Sequence, residues 1–295
     1  MRLHVLHETR YAYAPAVRTA LHMAHLRPAD RDGQRLLRHS LRIDPEPDQR
    51  STAVDVSGNV REFFGLQSAH EELRVVADSI VETSTREQPT SSLPWEASRE
   101  RLRYHRDAAH DPASEFLFAS PYVPRDAAFI DYARASFTPG RPLLEAAHGL
   151  MHRIHTEFAY VGAATDASTP ALHALALRKG VCQDFAHVLL GCLRSVGIPA
   201  RYVSGYLLTE PPPGQSRLLG SDASHAWVSM YVPAAQGRGA WVDLDPTNDR
   251  VPGEDYVTVA TGRDYSDVSP IRGVIHGGAH HTLQVAVTVA PVEGS

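Results

Sequence analysis

Residues 180–207, GVCQDFAHVLLGCLRSVGIPARYVSGYL, constrain this chain more than any other stretch. Phe185, Val188, Leu189, Cys192 and Val196 recur at helical spacing, so a helix starting near Cys182 must bury one face. Gly197 and Pro199 end it, the glycine by accepting a left-handed turn and the proline by being unable to continue the ladder. An extended apolar run follows at once over residues 200–208, and two more come at 226–232 and 240–244. A buried helix followed by strands with no intervening helix implies an α+β fold, the helix packed on an antiparallel sheet.

Upstream, the pattern changes. Leu3, Val5, Tyr11, Tyr13, Leu73, Val75 and Ala77 alternate with polar residues, as half-buried strands do. Turn signals near residue 31, at Pro45-Glu46-Pro47 and at Ser57-Gly58-Asn59 divide these runs, which predicts an N-terminal β-sandwich over residues 1–85. Residues 86–124 turn to Thr, Ser, Pro and Arg and read as a connector. Leu143, Leu144, Ala147, Leu150, Met151 and Ile154 then form a helical stripe behind Pro142, opening a second domain assigned to 125–295. That domain includes a proline-rich turn at 211–214 and a last alternating strand at 282–289.

Hydrophobic residues make up 43% of the 295, enough for a large core, and the formal charge is −5 with no run of one sign. That distribution argues against nucleic acid and membrane partners. The opening MRLHVLHETRYAYA has no apolar stretch of the kind a signal peptide needs, which predicts a cytoplasmic protein. Cys182 and Cys192 lie on one helix, about 15 Å apart along its axis, so no disulfide is expected. His276, His280 and His281 are split by Gly277 and Gly278 and lack zinc-ligand spacing, so no metal or other cofactor is expected.

Three residues carry candidate chemistry. Cys182 stands where free amide groups at a helix start favour negative charge on the sulfur and on an oxyanion beside it. His225, in SHAW, would hold the proton, and a carboxylate in WVDLDPT would orient the imidazole. Asp243 and Asp245 share a strand face, so spacing alone leaves the choice between them open.

The pieces GVCQDFAH, GIPARYVSGYL, SHAW and WVDLDPT resemble the core of the bacterial transglutaminase-like superfamily, a papain-like group of thiol enzymes. HETRYAYAPAV through SGNVREFF resembles the β-rich domain that precedes this core in bacterial members, and GRDYSDVSPIRGV matches near the C-terminus. The resemblance implies Cys182 as nucleophile, His225 as base and Asp245, before Pro246-Thr247, as orienting acid, with Asp184 and His187 in supporting positions. It implies a Cys thioester acyl-enzyme and a peptide, protein or amide-bearing small polymer as substrate. Hydrolysis is the expected outcome because water needs no second site. Acyl transfer to an amine and a non-catalytic scaffold are the alternatives. Lys179 is the only lysine, so a cross-linking enzyme would find almost no acceptor on itself.

Overall fold

Strand β1 (Arg2–Ala24) is long enough, at 23 residues, to serve two successive neighbours on each edge. On one edge it pairs with β4 (Val60–Leu66) and then β5 (His70–Thr83); on the other, with β12 (Ile271–Gly277) and then β13 (His280–Pro291). The register slips between Ala12 and Val17 against β5 and between Val17 and Thr19 against β12, and bulged residues of this kind bend a strand. With β2 (Gln34–Asp44) outside β5 and β3 (Gln49–Val54) outside β4, one seven-stranded sheet results. It encloses a cluster of its own that includes Tyr13, Val17, Leu41, Phe64, Leu73 and Val75. This computed structural model describes residues 1–90, 92–103, 106, 110–162, 164, 165, 168–209, 224–234 and 239–292; the proline-rich turn expected at 211–214 lies outside them.

The strand expected at 282–289 is present as β13, but its partner is β1. The C-terminal segment therefore returns to the N-terminal sheet instead of closing the α+β core, because β1 offers it twelve paired positions from Leu3 to Ala14. The connector also carries structure. It holds α1 (Trp95–Arg101), whose Trp95 ring meets Phe137 edge-on, and a 3-10 turn over Pro112–Leu117.

In the α+β core, α5 (Cys182–Ser195) is the central element, with every residue from Asp184 to Arg194 buried. Around it pack α2 (Ala127–Ala133), α3 (Leu143–Glu157) and α4 (Ala171–Leu177), while β6 (Ala159–Tyr160) pairs in parallel with β7 (Lys179–Gly180) beside its start. Strands β8 (Ala200–Leu207), β9 (Ser224–Val232), β10 (Ala240–Leu244) and β11 (Tyr256–Gly262) form an antiparallel sheet in the order β10-β9-β8-β11. Ala226, Val228 and Met230 share the core cluster of α5, so Trp227 and Tyr231 alternate to the other face. Helix α6 (Tyr265–Val268) follows β11.

The N-terminal sheet caps the open edge of β11. The side-chain amide of Gln34 bonds Thr258 O at 2.8 Å and accepts from Thr258 N at 2.7 Å; Asn59 does the same for Thr261, both at 2.8 Å. Two amides thus supply the hydrogen bonds a fifth strand would have made.

Candidate active site

Helix α5 begins where a backbone turn is forced into a tight approach. A Cβ on Gly180 would lie 2.6 Å from the Cβ of Asp184, so only glycine fits there. The freed space lets the Asp184 carboxylate accept from Val181 N at 2.8 Å and from the Thr165 hydroxyl at 2.6 Å. The first helical turn is fixed in this way, and Cys182, half-buried, stands at its head.

His225 lies on β9 beside that head. Its Nε2 is 2.7 Å from Asp245 Oδ2, and the Cys182 side chain is near enough to help raise the pKa of the ring. Asp245 is fully buried at the end of β10. Its Oδ2 also accepts from the Tyr256 hydroxyl at 2.7 Å and from Asn248 Nδ2 at 2.8 Å, and its Oδ1 from Thr247 N at 2.9 Å. Burial alone would raise the Asp245 pKa, but the bonds from His225, Asn248 and Tyr256 outweigh it and hold the carboxylate ionised below its ordinary range. Burial likewise pulls against a charged His225, yet Asp245 and Cys182 together push its pKa up to about 10.

The structure brings together Cys182, His225 and Asp245 and separates Asp243, which pairs with Arg86 at 3.2 Å. Cys192 is fully buried, as its place on the apolar stripe predicts, and no disulfide joins it to Cys182. His187 is also buried, stacked on Tyr122, and its Nε2 accepts from Tyr265 N at 3.2 Å; burial lowers its pKa to about 3, so it is a neutral packing group. Three neighbours escaped the sequence reading. Tyr256 and Asn248 anchor Asp245, and exposed Tyr160 lies beside Cys182. Asn248, three residues past Asp245 in a turn, carried a local signal; Tyr256 and Tyr160 reach the site only through the fold.

Residues 3–82 match the bacterial transglutaminase-like N-terminal region and residues 130–246 match the transglutaminase-like superfamily. The chain belongs to the transglutaminase-like superfamily. An uncharacterized protein of Mycobacterium tuberculosis is 41% identical over 303 residues, covering 99% of this chain and 94% of its own length. A protein-glutamine gamma-glutamyltransferase of Pseudomonas aeruginosa is 35% identical over 128 residues, covering 42% of this chain and 18% of that protein. The crystal structure of a Cytophaga hutchinsonii protein, proposed to be a cysteine protease, superposes with a TM-score of 0.75 at 21% identity, covering all of this chain and 92% of the other. This transglutaminase-like chain thus shares the fold of that structure over its whole length. Among the described residues, no helix is long and apolar enough to cross a membrane.

Proposed function

We propose that this protein is a cysteine-dependent amide hydrolase acting on peptide or isopeptide bonds. The observation that carries the proposal is His225 held by a buried, multiply anchored Asp245 beside Cys182 at the head of α5. The sulfur of Cys182, its proton held by His225, attacks the amide carbonyl, and the backbone amides at the start of α5 face the oxyanion that forms. As the C–N bond breaks, imidazolium gives its proton to the departing amine and a thioester remains. Water, losing a proton to His225, then attacks the thioester and releases the acid and the thiol. Asp245 keeps Nε2 occupied so that Nδ1 alone serves the sulfur.

Acyl transfer to an amine is the second reading, favoured by the similarity of 128 residues to a protein-glutamine gamma-glutamyltransferase. A casein digest incubated with a fluorescent primary amine separates the two. New amino termini or ammonia without fluorescence in the peptides supports hydrolysis; incorporation of the amine supports transfer. Neither product above the Cys182→Ser background would overturn the enzyme proposal and leave a scaffold.

A further inference from the structure

Where the N-terminal sheet meets the outer face of the core sheet, a cavity of about 560 Å³ is lined by Arg31, Arg86, Arg201, Trp241, Asp243 and Thr261, among others. It lies outside the Cys182–His225–Asp245 constellation, and its volume suits a metabolite-sized molecule. Three guanidinium groups converge there from both modules. Arg31 precedes β2 and Arg86 follows β5, while Arg201 rises from β8.

These arginines are under-satisfied. Arg201 stacks its guanidinium 4.1 Å over the Trp241 ring, and its buried Nε has no hydrogen-bond partner among the described residues. Arg31 gives its terminal nitrogens to Asn59 at 2.9 Å and Thr261 at 3.3 Å, and its Nε is likewise buried and unpartnered. Arg86 pairs with Asp243, the one buried carboxylate of the lining; Asp32 and Glu87 are exposed at the rim. Burial, together with the like charges of Arg31 and Arg86, pushes the Arg201 pKa down to about 10 despite the pull of Asp243. A group still charged at neutral pH is therefore held in unbalanced positive surroundings, a cost that an incoming anion would relieve.

We propose that this cavity binds a small molecule with clustered oxyanion groups, carboxylate or phosphate, whose oxygens bridge the arginines of the two modules. Guanidinium forks match both kinds of oxyanion in paired hydrogen bonds. A ligand held by both modules must also stabilise their seam, because it binds only the folded arrangement.

Calorimetric titration of the whole protein with citrate and with inorganic phosphate, at fixed ionic strength with chloride as reference, tests this. Saturable one-to-one binding below about 10 mM is expected, with a rise in Tm. Binding by citrate alone assigns the site to polycarboxylates, and binding by phosphate assigns it to phosphate-bearing molecules. Arg86→Gln should weaken either at least about tenfold. Arg86→Gln also strips the partner from buried Asp243, so phenylglyoxal labelling of the unmutated protein supplies the independent measurement. Bound anion should shield Arg86 and Arg201 while exposed Arg18, which does not line the cavity, stays reactive. Absence of saturable binding for both anions, or binding that neither depends on Arg86 nor shields Arg201, would overturn the proposal.

Discussion

At neutral pH the His225 imidazole carries a proton, because Asp245 and Cys182 outweigh the cost of burying it and its pKa stands at about 10. In the unfolded chain the ordinary value is 6.5, so folding tightens proton binding here. The resulting stability is fully present below about pH 6.5 and is lost as pH rises through 10. Urea melts between pH 6.5 and 10.5 should show a steeper loss for the unmutated protein than for His225→Ala; parallel losses would mean that His225 does not hold its proton. The same imidazolium predicts selective alkylation. Iodoacetamide at pH 6 should label Cys182 at least about 100-fold faster than Cys192, whose thiol is sealed in the core and pushed far above its ordinary range, and His225→Ala should remove most of the difference. Asp245→Asn should lower kcat/KM by about 10²–10⁴-fold through loss of imidazole orientation, while Asp243→Asn, whose carboxylate pairs with Arg86 and not with His225, should cost less than about tenfold. A larger effect at Asp243 would misplace the acid. Cys182, His225 and Asp245 were legible as candidates because each sits in a short motif with its own local geometry. Tyr256 was not, since its hydroxyl meets Asp245 only after β11 has been laid beside β8.

Helix α5 depends on its first turn as much as on its apolar faces. Gly180→Ala would drive a methyl group into Asp184, displacing the carboxylate that holds Val181 N and Thr165. A stability loss of about 1–3 kcal/mol is expected from the clash, together with slower alkylation of Cys182 as the helix head shifts. Equal Tm and equal labelling rate would show that the helix start relaxes without cost. The helix itself was readable from the 3.6-residue stripe, and its end from Gly197, which takes φ +83°. Strands β8 to β10 were readable from apolar runs bounded by turns. Strand β11 escaped because all seven of its residues are buried, so it shows no alternation, and β12 escaped because its IRGVIHG face is largely exposed and offers no apolar pattern. The pairing of β13 with β1 is a long-range fact; alternation gives a strand without saying which sheet it joins.

Leu3, Val5 and Val81 of the N-terminal sheet, and Val287 and Val289 of the returning C-terminus, belong to the same buried cluster as Phe185, Leu189 and Leu193 of α5. The two modules therefore share apolar core as well as the Gln34 and Asn59 bonds to β11, and neither can lose the other without exposing both. Calorimetry should give a single transition whose calorimetric and van't Hoff enthalpies agree. Gln34→Ala should strand Thr258 N and O in a buried seam, costing about 1–3 kcal/mol for each group left unpaired, and should lower that one transition without splitting it. Deleting residues 270–295 is the harsher test. It removes Val287 and Val289 from the core and unpairs one edge of β1 from Leu3 to Ala14 and again from Val17 to Ala24. The truncated chain should lose cooperative unfolding and, with it, the selective labelling of Cys182, although Cys182, His225 and Asp245 are untouched. Two resolved transitions in the intact protein, or a truncated chain that still melts cooperatively and labels selectively, would show that the C-terminal strands decorate the α+β core instead of holding it.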